Sequence, residues 1–253
     1  MTAQELGEAD HFGHNMTMMC ESVKSIRSFL HSYNTSLCTT TKVLTGENDK
    51  EPDVHVCLDG LDRECVAYSI GIADNWIFDD LMLERGCVVR SFDPTMVKFP
   101  PEHYARSDRH KFEAIGVGAE SRVETRGGDT TRNYGGKAVY AVETLDDMMT
   151  RHGHARLSVL RMDVEGAEFH VLEQMLASGV LDRVDQLLLE IHLYRPLAKM
   201  IAFMRTLHRI RDDHGLQLFW TARNRWDAAW NDGSCFLSKS RLEFTKNRSC
   251  RSW

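Results

Sequence analysis

Val159-Leu160-Arg161-Met162-Asp163-Val164-Glu165-Gly166-Ala167-Glu168 reads as a buried strand that ends in two carboxylates, turns at a glycine and opens a helix. The run from Ser158 to Met162 is mostly apolar and too short for a helix, the length expected of a central parallel strand. Glu168, Phe169, Val171, Leu172, Met175 and Leu176 then recur at helical spacing. Open α/β sheets bind ligands in the crevice beyond the carboxyl ends of their strands. Asp163 and Glu165 fall at that edge and are the first candidates for a site.

The same grammar recurs upstream. Cys65 to Ile72 reads as a strand ending at Gly71, Ala73-Asp74-Asn75 is turn chemistry, and Trp76 to Arg85 is a short helix that Gly86 stops. Cys87 to Phe92 forms the next strand, closed by Asp93-Pro94. Strand, glycine turn, helix, strand and acid is the order of a nucleotide-binding βαβ unit, in which the acid after the second strand accepts hydrogen bonds from ribose hydroxyls. Gly71 and Asp93 have roughly the spacing those roles require. A lone glycine without Gly-x-Gly-x-x-Gly argues against a nicotinamide dehydrogenase.

Four segments, Tyr68 to Asn75, Ser91 to Pro94, Arg161 to Glu168 and Gln186 to Leu193, together resemble the methyltransferase-like 24 group, a branch related to the FkbM-type, S-adenosylmethionine-dependent methyltransferases. The resemblance covers about residues 52 to 253. It implies an α/β fold with a doubly wound, Rossmann-like class I methyltransferase sheet, mostly parallel with an antiparallel last strand. It also implies S-adenosylmethionine as cofactor and methyl transfer to an oxygen of an acceptor that no residue here encodes. Enzymes of that fold usually carry an acid two residues before the first glycine and a second glycine two residues after it. Here those positions are Ser69 and Ala73. The alternative is therefore a non-catalytic methyltransferase-fold binding protein with a degenerate cofactor site.

Within this frame the cofactor candidates are Gly71, Asp74, Asp93 and Asp163. Gly71 is expected to be glycine because a side chain would collide with the cofactor. Asp74 is expected near the methionine amine, in place of the missing acid. The catalytic candidates are Asp163, Glu165 and His192. Two neighbouring carboxylates raise each other's proton affinity, which suits a general base, and His192 is the best imidazole base among twelve histidines. Glu190 and His192 end the same strand and are expected on opposite faces. Glu168 is read as helix-terminal charge complementing the dipole. Two carboxylates and a histidine can hold a divalent ion, but nothing in the sequence fixes their geometry, and no metal is assigned. Arg195, Trp226 and Trp230 border the motif strands without an assigned role.

At 253 residues and 42% apolar composition the chain suits one α/β domain with a sizeable core. A net charge of −6 gives no bulk positive field for nucleic acid. Residues 1–50 are expected as an amino-terminal appendage, with a helix over Met16 to Tyr33 and a polar linker over Asn34 to Lys50, and residues 51–253 as the methyltransferase-like domain. No transmembrane run is visible, and Met1 to His14 does not read as a signal peptide. The resemblance nevertheless implies a possible secretory-lumen setting, where the sequons at Asn15, Asn34 and Asn247 would matter. The seven cysteines show no Cys-x-x-Cys, which excludes zinc ribbons. Cys65 and Cys87 are expected as reduced core residues, with Cys235 and Cys250 able to pair. Oligomeric state is not encoded.

Further elements follow from pattern. Lys111 to Val117 is a third strand, residues 119–137 a polar surface hairpin or loop, and Thr144 to His152 a helix capped by Thr144. Gln186 to Leu193 is a fifth strand and Pro196 to His214 a long amphipathic helix. Gln217 to Thr221 and Ser234 to Lys239 are expected to close the sheet as a hairpin.

Overall fold

The computed structural model describes residues 28, 34–44, 54–62, 64–126, 138–192, 197–223 and 239–246. In chain order the elements are β1 (Thr41–Leu44), β2 (Val54–Cys57), β3 (Val66–Ile70), α1 (Ile77–Glu84), β4 (Val88–Phe92), β5 (His110–Glu113), β6 (Gly116–Val117), β7 (Arg122–Arg126), β8 (Ala138–Glu143), α2 (Leu145–Arg151), β9 (Val159–Met162), α3 (Glu168–Ser178), β10 (Gln186–His192), α4 (Leu197–Asp212), β11 (Leu216–Arg223) and β12 (Lys239–Lys246).

Seven strands form one sheet in the order β11-β12-β10-β9-β3-β4-β5. The five strands from β10 to β5 are parallel, and β12 runs antiparallel between β10 and β11. The chain lays down β3, β4 and β5 outward in one direction, then returns to place β9 and β10 on the other side of β3. Strand order therefore reverses between β3 and β9, the position at which open α/β sheets form their ligand crevice.

Both faces are covered, which explains the near-continuous apolar strands. On one face Tyr68, Ile70, Phe92, Leu160, Met162, Leu187, Leu189 and Ile191 pack with residues of α2, α3 and α4. On the other, Ala67, Val89, Val159 and Leu188 meet Phe78, Leu81 and Met82 of α1 together with Leu44 and Val56. Each such fully buried side chain is worth about 1.5–3 kcal/mol. Local signals place the helices. The Thr144 hydroxyl accepts from Asp147 N–H at 3.2 Å to cap α2, and Gly179 ends α3 at φ 73°.

Several expectations need correction. Cys65 and Cys87 are not reduced core residues but a disulfide, with Cα atoms 4.5 Å apart. They precede β3 and β4, adjacent parallel strands that bring their Cα atoms within bonding reach. Cys38 and Cys57 form a second disulfide. Asn34 to Leu44, expected as linker, is stitched to the domain by that bridge, by β1–β2 pairing and by Asn34 N–H donating to Leu218 O at 3.0 Å. The Lys111 to Val117 strand is two strands in different sheets, because β6 leaves to pair with β8. The closing partner of β11 is Lys239–Lys246, further along the chain than expected. The polar hairpin is present as β7 against β8. The helix at Met16 to Tyr33, Arg195, Trp226, Trp230, Cys235 and Cys250 lie outside the described residues, residue 28 apart. Among the described residues no helix is long and apolar enough to cross a membrane.

Candidate active site

The carboxyl ends of β3, β4, β9 and β10 bring Gly71, Asp93, Asp163 and His192 to one edge of the sheet. Gly71 sits at the switch point with φ 76°, its N–H donating to Phe92 O at 2.8 Å. A Cβ at Gly71 would lie 1.7 Å from the Asp163 carbonyl oxygen. Glycine is therefore demanded by the neighbouring backbone itself, a reason the sequence did not disclose. The Asp163 N–H in turn donates to Ile70 O at 2.9 Å, which fixes the two strand ends against each other.

The turn after Gly71 holds Ala73 at φ 46° and Asp74 at φ 66°, a left-handed pair that L-residues adopt at a cost. Asp93 supports it: its carboxylate accepts from Ala73 N–H at 2.9 Å, from Thr95 N–H at 2.8 Å and from the Thr95 hydroxyl. Asp93 is only 4% exposed. Asp74 is exposed and accepts from Trp76 Nε1 at 2.7 Å. Ile72, Met96 and Phe112 form an apolar cluster beside this turn.

Asp163 is the centre of the cluster. Burial and the charge of Glu190 push its carboxyl up to about 7, partly offset by Arg161 and His192. Its Oδ1 is buried and accepts no hydrogen bond. Arg161 reaches back along β9, with Nη1 donating to Gly71 O at 3.3 Å and Nη2 4.0 Å from Asp163 Oδ2. Arg161, Asp163 and Glu190 also line a small cavity of about 10 Å³ between β9 and β10.

His192 is buried with a carboxylate at each nitrogen: Glu165 Oε2 lies 3.2 Å from Nε2 and Glu168 Oε1 lies 3.3 Å from Nδ1. Burial alone would lower its basicity, but Glu165 and Glu168 raise it to about 10. The two carboxylates thus favour the protonated ring over the neutral imidazole base expected from the sequence. Glu190 and His192 do not point to opposite faces. Residues two apart on a regular strand share a face, and both charges act on Asp163.

Glu168 does more than complement the helix dipole. It is fully buried, and its two oxygens accept from His192 N–H and from Gly166 N–H, the latter at 2.7 Å. It thereby ties the Glu165-Gly166 turn, where Glu165 has φ 50°, to the end of β10. Glu168, Arg161 and Glu190 were missed as site residues. The visible signal was a charge inside each otherwise apolar strand, at Arg161 and Glu190.

A second polar cluster lies between α1 and strands β4 and β5. Asp79, contributed by α1, accepts from the Ser91 hydroxyl, and Ser91 Oγ lies 2.8 Å from His110 Nε2. All three are buried.

The FkbM methyltransferase domain matches residues 67–214. The chain is similar to "Probable methyltransferase-like protein 24" of Rattus norvegicus, 30% identical over 138 residues, covering 53% of this chain and 34% of the relative. It is also similar to the protein of the same description from Homo sapiens, 26% identical over 166 residues, covering 62% of this chain and 43% of the relative. The matched region is thus less than half the length of either relative.

Proposed function

Since the chain belongs to the FkbM methyltransferase domain family, we propose that it transfers a methyl group from S-adenosylmethionine to an oxygen of its acceptor. The observation that carries this reading is the meeting of Gly71 and Asp163 at the point where strand order reverses, with Asp163 Oδ1 buried and lacking a hydrogen bond. The strand order, with one antiparallel strand second from the edge, agrees with a class I methyltransferase sheet.

The residues fit the cofactor in chemistry. An acid ends the strand next to the glycine turn, an apolar cluster stands beside it, and an acceptor atom without a partner faces the switch point. Asp93 would receive the ribose hydroxyls on oxygens that already brace the turn, and Asp74 and Asp163 would face the methionine portion. The bound cofactor supplies an electrophilic methyl group on a positive sulfur. Asp163, with a proton affinity near neutrality, accepts the acceptor's hydroxyl proton. His192 holds Glu165 and Glu168 in place as a cation. Positioning supplies most of the remaining acceleration. Two disulfides point to an oxidising compartment for this domain.

Calorimetry of the full chain with adenosylmethionine, its demethylated product and NAD tests the cofactor assignment. Binding of the first two and not NAD is expected. Asp93→Ala should weaken binding about ten- to hundredfold, the loss of about 1.5–3 kcal/mol from a charge-assisted contact and its turn. A folded chain that takes up neither sulfur compound would instead be a methyltransferase-fold binding protein with a degenerate site.

A further inference from the structure

We propose that Asp163, Glu165 and His192 bind a divalent metal ion. One donor atom from each lies within 4.8 Å of the other two. Neighbouring donors of an ion bound at about 2.0–2.2 Å stand roughly 3.0–3.6 Å apart. Glu165 Oε2 and His192 Nε2, 3.2 Å apart, already have that spacing, and the Asp163 carboxylate needs to approach by at most about 1–2 Å. Two carboxylates and one imidazole suit Mn²⁺, Mg²⁺ or Zn²⁺ and leave coordination positions open.

Two independent observations point to a ligand here. The His192 side chain is 3% exposed, and neither ring nitrogen makes an aligned hydrogen bond although each faces a carboxylate at 3.2 or 3.3 Å. Asp163 Oδ1 is likewise buried and accepts nothing. Charge agrees with geometry. Among the described residues, Asp163, Glu165, Glu168 and Glu190 gather around Arg161 and His192, which leaves surplus negative charge in a low-dielectric edge. Glu165 is the adjustable member: its side chain is 58% exposed and stands on a turn that Glu168 holds from below. Coordination by Nε2 uses the neutral ring, so one proton leaves His192 as the ion enters.

The role of the ion rests on the methyl-transfer reading. Seated beside Asp163 at the switch point, it would hold the acceptor oxygen on an open position and favour its deprotonated form, by Lewis acidity. Its binding does not depend on that role, and the experiment separates the two. The EDTA-treated full chain is titrated with Mn²⁺ by electron paramagnetic resonance, and with Mg²⁺ and Zn²⁺ by calorimetry. One ion per chain is expected, weakened at least about tenfold in Glu165→Gln, a substitution at an exposed side chain that leaves the fold intact by circular dichroism. Asp163→Asn should weaken it similarly.

No uptake of any of the three ions up to about 1 mM overturns the proposal. So does uptake that both variants leave unchanged, which would place the ion elsewhere. Displacement of Mn²⁺ by adenosylmethionine mole for mole would make the cluster the cofactor's amine subsite and overturn it too. Mn²⁺ binding lost in Glu165→Gln, in a chain that binds no adenosylmethionine even in EDTA, supports the ion site and removes the cofactor reading instead.

Discussion

Two histidine–carboxylate clusters lie on the same face of the sheet and behave in opposite ways. Beneath α1, His110 Nδ1 accepts from Arg106 N–H at 3.1 Å, so its proton is on Nε2 and is donated to Ser91, whose hydroxyl donates to Asp79. Burial and Arg106 lower the His110 imidazole to about 4, while burial raises Asp79 to about 6. At the strand edge, His192 is equally buried yet raised to about 10, because a carboxylate stands at each nitrogen. Burial alone therefore does not set a histidine's charge. The nearest partners do, a hydroxyl and a backbone N–H in one case and two carboxylates in the other. In the inner cluster each histidine nitrogen has a hydrogen-bond partner. In the edge cluster neither nitrogen of His192 has an aligned one, and each cluster keeps a buried carboxylate oxygen without a partner, Asp79 Oδ2 in one and Asp163 Oδ1 in the other.

The largest expected effect breaks the inner cluster. Asp79→Ala strands Ser91 and His110 in the core and should cost about 3 kcal/mol, a melting temperature lower by roughly 6–12 °C. Glu165→Gln, at the exposed margin of the edge cluster, should stay within about 0.5 kcal/mol of the parent. Equal losses in the two variants would erase the distinction between fold and site.

A pH series sharpens it. His110 has a depressed folded-state value, so its contribution is complete above about 6.5 and is lost as pH falls toward about 4. His192 has a raised value, so its contribution is complete below about 6.5 and is lost as pH rises toward about 10. Urea midpoints from pH 5 to pH 9 in EDTA should therefore flatten on the acid limb in His110→Gln and on the alkaline limb in His192→Gln. The reverse assignment would contradict the charge states derived from the geometry.

The smallest effect concerns the turn beside the site. Ala73 occupies φ 46°, so Ala73→Gly should stabilise the fold by about 0.5–1 kcal/mol in chemical denaturation, relieving a left-handed alanine. A loss of stability would show that the turn is not strained.

Much of this architecture was legible because it is written in local pattern. The strand–acid–glycine–helix order at Val159 to Glu168, the Thr144 cap and the helix stop at Gly86 each depend on residues within one or two turns. What stayed hidden depends on tertiary neighbours. Cys65 pairs with Cys87 only because β3 and β4 start side by side. Gly71 is glycine because of a carbonyl 92 positions away, that of Asp163. Asp163, Glu165 and His192 were chosen from sequence and do converge, but the charge of His192 and the buried grip of Glu168 arise from contacts between β10 and α3. Asn34 to Leu44 reads as loop because its sequence is polar and threonine-rich, and the disulfide and strand pairing that hold it to the domain are set by tertiary neighbours.

The central claim is that the edge cluster serves ligand binding, with Asp163 beside the cofactor, and the inner cluster serves the fold. Calorimetry with adenosylmethionine, paired with melting temperatures, on Asp163→Asn and Asp79→Asn tests it most directly. The account predicts that Asp163→Asn loses at least about tenfold in affinity while its melting temperature stays within about 2 °C, and that Asp79→Asn melts lower by several degrees with affinity retained in the folded chain. Full affinity in Asp163→Asn, with binding lost in a stable Asp79→Asn, would contradict it.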